Sequence, residues 1–368
     1  MSDDVVWIDF DIMERFMVDV FKGVGVPGED AAICADVLIT SDKRGIDSHG
    51  ISRLKPIYYD RIKAGIQVPV TTFEIVRENP TTAVIDGHDG MGHVIARKSM
   101  EMAIEKARTF GMGMVAVRNS THYGIAGYYA LMAADAGMIG ITGTNARPSV
   151  APTFGVENML GTNPLTFGIP TDEEFPFVID CATSITQRGK IEVYDRTGTD
   201  IPEGWVIDRS GKTQTDTHRI LEDLVQGTAV LTPLGGIGEE SGGHKGYGYS
   251  TVVEILSAAL QGGSYLKMLS GYRNGKRVPY RLGHFFLAID ISSFTELERF
   301  KKTAGDILRA LRSSKKMPGV ERIYTAGEKE YRAWQERKDK GVPLNRSLQQ
   351  EIIAMCDELS LNEYDFPF

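Results

Sequence analysis

The hydrophobic pattern of the chain opens with helical spacing. Apolar side chains recur every three or four residues from Met13 to Phe21 and stop at Gly23, which predicts an amphipathic helix over residues 9–22 with a glycine cap. A second apolar stripe predicts a helix over residues 29–42, which leads into the segment RGIDSHGISRL. The first part of the chain is therefore predicted to be mainly helical.

The pattern changes near residue 81, where strand-like and helix-like segments begin to alternate. This order predicts a sheet covered by helices, which is an α/β arrangement. After residue 296 the chain becomes helical and charged again, and we expect this C-terminal part to pack on the N-terminal helices. The predicted strands are 81–86, 112–117, 138–144, 176–180 and 285–290, and the predicted helices among them are 94–109, 126–136 and 247–263.

The composition limits the possible partners and location. A chain of 368 residues, with 42% apolar and 24% charged residues, is typical of a globular protein with two lobes. The net charge of −8 indicates no broad basic surface, so neither nucleic acid nor membrane partners are expected. The three cysteines form no CxxC pair, and neither a leader-like segment nor a membrane-spanning apolar stretch is evident. We therefore expect a reducing, cytoplasmic location.

The segment from Gly87 to His93 lies between a predicted strand and a predicted helix, as a dinucleotide-binding turn does. Read from Gly90, it is G-x-G-x-x-Ile, which lacks the third small residue, so a plain tight turn is favoured. If the protein binds a nicotinamide cofactor, it does so without an ordinary Rossmann fingerprint. The histidine pairs 88/93 and 244/284 lack metal-binding spacing, so no metal site is expected.

A polar cluster over residues 47–54 (DSHGISRL) has the residue types for proton transfer and carboxylate binding. The unperturbed pKa of a histidine such as His49 suits proton transfer near neutral pH, and Arg53 lies four residues beyond it, about one helical turn away. A serine–histidine pair that only caps a helix explains the same residues equally well. A second cluster, residues 119–124, places His122 directly after a predicted strand, with helix capping again as the alternative.

The remaining candidates are less specific. Asp180 stands at the end of a predicted strand, and residues 161–171 have the composition of a loop with backbone amides in turns. Lys245, in the glycine-rich loop SGGHKG, could face a phosphate or a carboxylate, although a solvated lysine is the ordinary case.

Taken together, these motifs have the order and spacing of a known enzyme family. The segments DSHGISRL, STHYGIAGYYALMAADAGMIGI, APTFGVENMLGTNPLTFGIPT, VIDCATS, SGGHKGYG and LGHFFLAID resemble the type-2 malate/L-lactate dehydrogenase family over nearly the whole chain. The resemblance implies a non-Rossmann α/β domain over residues 76–295 that binds NAD or NADP, with a mixed sheet between helices. It also implies a helical domain formed from both termini, residues 1–75 and 296–368, and a homodimer with active sites near the interface.

The same resemblance implies hydride transfer between NAD(P) and the C2 carbon of a small 2-hydroxy or 2-keto acid. Malate with oxaloacetate is the first expectation, and lactate, sulfolactate and ureidoglycolate are the alternatives. Ser48, His49 and Asp180 match a relay in some members, with His49 as the proton donor. His122 matches the proton acceptor of others, so both histidines are kept. Arg53 matches a position that binds the substrate carboxylate.

Other matching positions concern contacts to substrate or cofactor. Thr121 matches a substrate contact. Gly327 and Glu328 match a C-terminal cofactor contact, although Ala326 stands where the family has proline. The remaining matches to substrate or cofactor contacts are Asn145, Pro170, Thr171 and Lys245.

Two rival functions follow from the same residues. A serine hydrolase would need Ser48, His49 and Asp180 as a nucleophilic triad, but adjacent serine and histidine side chains seldom face each other and no GxSxG elbow occurs. A non-catalytic cofactor-binding protein is the second rival. Turnover of a 2-keto acid with a reduced nicotinamide cofactor would separate both rivals from a dehydrogenase.

Overall fold

The structure is a computed structural model that describes residues 5–368. Its strands are β1 (Val6–Ile8), β2 (Glu74–Glu78), β3 (Thr82–Asp86), β4 (Met112–Ser120), β5 (Met138–Thr144), β6 (Leu165–Ile169), β7 (Phe177–Cys181), β8 (Val206–Asp208), β9 (Thr213–Gln214), β10 (Ala229–Leu231), β11 (Tyr272–Arg273), β12 (Lys276–Arg277), β13 (Leu282–Asp290) and β14 (Val342–Leu344). Its helices are α1 (Phe10–Gly23), α2 (Gly28–Lys43), α3 (Asp60–Lys63), α4 (Gly92–Phe110), α5 (Ala126–Asp135), α6 (Arg188–Arg196), α7 (Thr217–Gln226), α8 (Gly243–Ala258), α9 (Leu297–Ser313), α10 (Glu328–Arg337) and α11 (Arg346–Leu359). Among these helices, none has the length and apolar character that crossing a membrane requires.

A seven-stranded sheet forms the centre of the protein, in the order β2-β3-β4-β13-β5-β6-β7. Strands β3 and β4 run parallel and the other neighbouring pairs run antiparallel, so the sheet is mixed. Helices α4 and α5 cover the face where Phe286 and Ala288 are buried. Helix α8 covers the other face, where a Cβ on Gly283 would lie 1.6 Å from the carbonyl oxygen of Ser257. The predicted α/β class, with a mixed sheet between helices, is confirmed.

Residues from both ends of the chain share one apolar core. Helix α1, which begins after the N-cap Asp9, buries Phe16 edge-on against Tyr364 and Phe366, with ring centroids 5.3 and 5.4 Å apart. Strand β1 pairs antiparallel with β14. The chain from β14 onward therefore packs on the N-terminal helices, as the hydrophobic pattern predicts.

Helix α9 departs from that expectation. Its Arg309 holds Asp172 in a two-pronged ion pair at 2.9 and 3.0 Å, and Phe300 lies beside Ile139 and Ile289 of the central sheet. The expectation that the whole tail packs on the N-terminal helices is wrong for α9, because this ion pair and this apolar contact hold α9 to the sheet. The division into residues 1–75 with 296–368 and residues 76–295 stays a prediction, and α9 argues for a second boundary nearer residue 328.

A small unit lies between β7 and α8 and has no counterpart in the sequence analysis. Strands β10-β8-β9 form an antiparallel sheet, and α6 and α7 bury Ile191 and Ile220 in a core with it. Strands of two or three residues carry too short a period to be recognised. Strand β6, which the sequence suggested was a loop, belongs to the main sheet. Its Gly168 lets α5 approach, since a Cβ there would lie 2.4 Å from the carbonyl oxygen of Ala130.

Candidate active site

The polar segment after α2 is folded into a tight turn by a buried carboxylate. Asp42, in the last turn of α2, is buried and accepts a hydrogen bond from the Ile51 amide at 2.8 Å. Gly50 lies against it, and a Cβ at Gly50 would be 1.9 Å from Oδ1 of Asp42. The bond and the missing side chain together fix the path of residues 46–50, which carry Ser48 and His49.

The two histidines predicted for proton transfer lie side by side. The rings of His49 and His122 are stacked, with centroids 5.8 Å apart and planes inclined by 19°. Ser48 Oγ lies 2.9 Å from Nδ1 of His49, and Nε of Arg53 donates to the Ser48 carbonyl oxygen. Four of the predicted residues, from two segments distant in sequence, therefore form one cluster.

The proton on neutral His122 is fixed by its neighbours. The Tyr58 hydroxyl lies 2.6 Å from Nδ1 of His122, and the Gly124 amide donates to the same nitrogen at 3.3 Å. Burial raises the pKa of Tyr58 well above its ordinary 10.0, so the phenol stays protonated and is a donor at neutral pH. With two donors at Nδ1, the ring proton lies on Nε2. His122 thus presents an N–H group to a ligand.

His49 is not restricted in this way. A serine hydroxyl can donate or accept, so Ser48 is compatible with a proton on either nitrogen of His49. Burial, followed by the charge of Arg53, lowers the pKa of His49 to about 4. Burial, followed by His49 itself, lowers the pKa of His122 well below 6.5. Both rings are neutral at pH 7, and His49 is the one free to accept a proton through Nε2.

Tyr58 was missed by the sequence analysis because the local helix is not an α-helix. Residues Leu54–Tyr59 form a π-helical turn after the 3₁₀ turn Ile51–Arg53. Because a π-helical turn is wider than an α-helical turn, the fifth residue after Arg53 faces the site, not the fourth. Helical spacing counted from Arg53 therefore singles out Ile57, not Tyr58.

The expected pairing of Asp180 with His49 is wrong. Its carboxylate accepts hydrogen bonds from the Gly127 amide at 2.6 Å and from Thr166 Oγ1 at 3.0 Å. Within residues 5–368 it forms no hydrogen bond with Ser48 or His49. Asp180 instead fastens the start of α5 to the edge of the sheet, because a free helix N-terminus attracts a carboxylate.

The same geometry argues against a serine hydrolase that uses Ser48, His49 and Asp180 as its triad. Ser48 and His49 do form a hydrogen bond, contrary to the expectation for adjacent side chains. In the described part of the chain, however, no carboxylate contacts His49, and Asp47 is ion-paired with Arg337 at 2.9 Å. A serine nucleophile needs a base oriented by a carboxylate, so the triad is incomplete.

Thr121 does not offer its hydroxyl to a ligand. Its Oγ1 donates to the Gly90 carbonyl oxygen at 2.7 Å and accepts from the Gly92 amide at 2.9 Å, and the side chain is buried. These bonds join the turn before α4 to the segment that carries His122. The expected substrate contact is therefore not available, and Thr121 supports the position of His122.

Three predicted contacts lie deeper in the protein. The buried Asn145 amide forms hydrogen bonds of 3.0 and 2.8 Å with the backbone of the loop after α8 and of β13. Thr171 Oγ1 donates to the Phe175 carbonyl oxygen at 2.8 Å, and Pro170 is buried at the end of β6. Their polar atoms are used by the fold, so a direct ligand contact from these side chains is not evident.

Gly327 and Glu328 fasten α10 to β7. Gly327 has a φ of +90°, and a Cβ there would lie 2.6 Å from the Pro176 carbonyl oxygen. Burial raises the pKa of Glu328, but the Thr325 amide and nearby arginines outweigh it, so the pKa lies below its usual value. The buried carboxylate lies 3.3 Å from Arg332 and 3.6 Å from Arg312. Glu328 is committed to these arginines, which does not match the expected cofactor contact.

The donor set around the start of α8 fits the pyrophosphate of a dinucleotide. Lys245 is exposed in the first turn of α8, and the N-cap residue Gly242 supplies no side-chain cap. Gly235 must lack a side chain, since its Cβ would be 2.5 Å from the backbone of Gly242. The N-terminus of a long helix carries a partial positive charge, which together with a nearby lysine favours phosphate groups. Among the described residues, no group of histidine, cysteine and carboxylate side chains is arranged to hold a metal ion.

The glycine turn before α4 has the geometry expected of a plain tight turn. His88 and Asp89 have φ values of 47° and 60°, and the Gly90 amide donates to the Gly87 carbonyl oxygen at 2.9 Å. The structure therefore gives this segment no arrangement typical of a Rossmann phosphate site.

The start of α6 lies over the cluster, a feature the sequence did not indicate. A Cβ at Gly189 would be 3.6 Å from Nη2 of Arg53 and 4.0 Å from Cβ of Ser48. The segment before it, near Ile185, is 3.6 Å from a Cβ at Gly236 in the loop that leads to α8. This segment thus contacts both the histidine cluster and the loop that leads to α8.

A third histidine lies beneath the cluster and is buried. His93 packs against Tyr58, with ring centroids 4.5 Å apart, and neither ring nitrogen has a hydrogen-bond partner among the described residues. Burial lowers the pKa of His93 to about 3. A histidine held neutral in the folded state is protonated more readily in the unfolded chain, where its pKa is about 6.5. Stability therefore falls as the pH drops from 6.5 towards 3.

We expect the substitution His93→Phe to flatten this pH dependence. Between pH 7 and pH 5, His93 should account for about 2 kcal/mol of lost stability, which the phenyl ring does not lose. Urea unfolding at both pH values measures the difference. The exposed His218→Gln variant is the control and should behave like the wild type. An unchanged pH dependence in His93→Phe would show that His93 is not held neutral.

Comparison with known proteins agrees with this geometry. The family model described as malate/L-lactate dehydrogenase matches residues 8–353. The chain is 45% identical to malate dehydrogenase of Pyrococcus horikoshii over 361 residues, covering 98% of each chain. It is 39% identical to L-sulfolactate dehydrogenase of Methanocaldococcus jannaschii over 353 residues, covering 96% of this chain and 97% of the other. The crystal structure of malate dehydrogenase from Entamoeba histolytica superposes with a TM-score of 0.94 at 46% identity, covering 99% of this chain and 100% of that one. The chain therefore belongs to the malate/L-lactate dehydrogenase family.

Proposed function

We propose that the protein is an NAD(P)-dependent dehydrogenase of a small 2-hydroxy acid, with malate and oxaloacetate as the first substrate pair. The observation that carries the proposal is the stacked pair of His49 and His122 beside the guanidinium of Arg53. One cluster thus combines a proton acceptor, a hydrogen-bond donor and a carboxylate-binding cation. Relatives named malate dehydrogenase favour malate over lactate, sulfolactate and ureidoglycolate.

In this mechanism Arg53 binds the C1 carboxylate and thereby orients the C2 carbon, which is the positioning part of catalysis. A nicotinamide cofactor, when bound, supplies the hydride acceptor. His49 takes the proton of the C2 hydroxyl through Nε2, while its Nδ1–H donates to Ser48 Oγ. His122 donates its Nε2–H to the same substrate oxygen and stabilises the charge that develops there. In the reverse direction protonated His49 returns its proton to the keto oxygen as C2 receives the hydride, while the Nε2–H of His122 remains a hydrogen-bond donor to that oxygen.

The cofactor is proposed from the donor set at the start of α8. Lys245 and the positive end of the α8 dipole would bind its pyrophosphate. NAD and NADP both remain candidates, since the names of relatives include NAD(+) and NADP(+) forms. The contacts first assigned to Gly327 and Glu328 would act indirectly, by holding α10 against the sheet.

We also propose a cytoplasmic homodimer. The outer side of α8 exposes Tyr249, Val252 and Ile255, and an apolar groove of about 680 Å³ continues from there to Tyr265. Contiguous apolar surface of this kind supports association with a second copy. The three cysteines are free thiols, which favours a reducing compartment.

The pH dependence of malate oxidation should reflect the low pKa of His49. Oxidation needs the neutral base, so kcat/KM should hold down to about pH 5 and fall as the pH drops through about 4, since the pKa of His49 lies there. Bound carboxylate offsets the charge of Arg53, so the acidic limb of kcat should lie at higher pH than that of kcat/KM. Initial rates at constant ionic strength measure both limbs. An acidic limb of kcat/KM near 6.5, the value of a free histidine, would contradict this assignment.

The function itself is tested with a panel of 2-keto acids and both reduced cofactors, followed by the absorbance of the nicotinamide. We expect oxaloacetate to give the highest kcat/KM. Absence of turnover with every keto acid, together with tight binding of the cofactor, would instead support a non-catalytic cofactor-binding protein.

A further inference from the structure

Arg61 carries a charge in the site that the mechanism above does not use. It lies in α3 and is half-buried, and its guanidinium lies over the ring of Tyr280, 4.5 Å from the centroid. In the described chain it forms no ion pair and no side-chain hydrogen bond. The lysines on either side of Arg61 in sequence do form ion pairs: Lys63 pairs with Glu358, and Lys55 pairs with Asp60 at 2.9 Å.

The position of Arg61 points to the reactive centre. It follows Tyr58 by three residues, where the π-helical turn passes into α3, and the Tyr58 hydroxyl is hydrogen-bonded to His122 at 2.6 Å. After burial and the charge of His49, the charge of Arg61 is the next cause that lowers the pKa of His122, ahead of Arg53. Two guanidinium groups therefore act on the same histidine, and one of them has no assigned ligand.

The surroundings of Arg61 are positive although the chain as a whole is acidic. Burial lowers the pKa of Arg61, the phenols of Tyr280 and Tyr58 oppose this, and the charges of Arg277 and Arg147 lower it further. No carboxylate is among the groups that act most strongly on Arg61. A desolvated guanidinium without an anion is unfavourable, and its planar N–H groups match a carboxylate or sulfonate. Such a site attracts a doubly charged acid more strongly than a singly charged one.

We propose that Arg61 binds the second anionic group of a dianionic substrate, while Arg53 binds the first. The inference rests on the proposed function and defines its substrate class. The second group is the C4 carboxylate of a four-carbon acid or the sulfonate of a three-carbon sulfo acid, and both present the same charge to Arg61. Arg61 thereby determines specificity for dianionic over monoanionic 2-keto acids.

The test compares the kcat/KM of Arg61→Gln and of the wild type for oxaloacetate, 3-sulfopyruvate, pyruvate and the 4-methyl ester of oxaloacetate. We expect Arg61→Gln to lose on the order of 100-fold for the dianionic acids, mainly through KM, and to change less than about threefold for the two monoanions. A loss with only one dianion would support the proposal and identify the bound group as carboxylate or sulfonate. An equal loss for monoanions and dianions, or no loss with either, would overturn it.

Two controls separate charge from folding. Arg61→Lys keeps the charge and should recover part of the loss, whereas Arg77→Gln removes the same charge from an exposed position on β2 and should leave all four substrates unchanged. Thermal unfolding of each variant checks that the fold is retained. If the wild type reduces none of the four acids, the proposed function fails. If it reduces them and Arg61→Gln keeps the wild-type preference, only the assignment of Arg61 fails.

Discussion

Replacement of His49 by alanine is expected to slow hydride transfer from malate roughly 10²- to 10⁴-fold at pH 7, which is the usual contribution of a general base. The reason is that the donors Tyr58 and Gly124 leave His122 with its proton on Nε2, so His122 cannot accept another at that atom. Binding of the acid should change little, because Arg53 remains. Single-turnover absorbance of the reduced nicotinamide measures the step.

The matched variant is His122→Ala, which should also be slow but should keep the acidic limb of the pH profile. In His49→Ala that limb should disappear, because the titrating base is gone. Added imidazole should restore part of the rate in His49→Ala. If His49→Ala retains the wild-type rate and the limb is lost only in His122→Ala, then His122 is the base and the tautomer assigned to it is wrong.

The substitution Gly50→Ala is expected to have the largest structural effect near the site. The new Cβ would lie 1.9 Å from Oδ1 of Asp42, so either the carboxylate or the turn must move, and the hydrogen bond that the Ile51 amide donates to Asp42 is lost. Overpacking together with a broken buried hydrogen bond should lower the free energy of unfolding by about 3 kcal/mol. The displaced His49 should reduce kcat at least tenfold.

Gly28→Ala, at the start of α2, the helix that carries Asp42, is the matched control. A Cβ at Gly28 meets no atom within 4 Å, so we expect wild-type activity and a stability change below about 0.5 kcal/mol. Denaturant unfolding and steady-state kinetics of both variants measure the difference. Wild-type stability and rate in Gly50→Ala would mean that the turn is not held by Asp42.

The helices and strands that the sequence predicted are long enough to show a clear hydrophobic pattern. The helix predicted over residues 9–22 is α1 (Phe10–Gly23), and the strand predicted over 285–290 is the C-terminal part of β13 (Leu282–Asp290). The small sheet of β8, β9 and β10 could not be predicted in this way, because strands of two or three residues show hardly one repeat. Helix α9 was recognised as a helix, but its partner surface depends on Asp172, which is far away in sequence.

The candidate site also has a part that the sequence predicted and a part that it did not. The residue types and local spacing of His49, Arg53 and His122 were enough to single them out, and the structure brings them together. Pairings across the fold were not accessible from spacing. Asp180 was matched to His49 through the resemblance, yet it bonds to Gly127, because the α5 N-terminus lies nearer to it than the histidine does.

Thr121 and Tyr58 show why the remaining site residues were assigned wrongly or missed. Whether a hydroxyl is free depends on its neighbours in space, and that of Thr121 is fully used by the backbone before α4. Tyr58 reaches His122 only because a π-helical turn shifts the phase of the helix by one residue. Neither the hydrogen bonds of the Thr121 hydroxyl nor the π-helical turn before Tyr58 can be recognised from the local sequence pattern.

The most direct test of the proposed reaction follows the hydrogen on C2 of malate. The enzyme is mixed with malate deuterated at C2 and an oxidised nicotinamide cofactor, and the products are analysed by mass spectrometry and NMR. Direct hydride transfer predicts that the deuterium appears on C4 of the reduced nicotinamide and that oxaloacetate is formed in equal amount. Deuterium that remains in the acid or is released to water, without reduction of the cofactor, would contradict the proposed function.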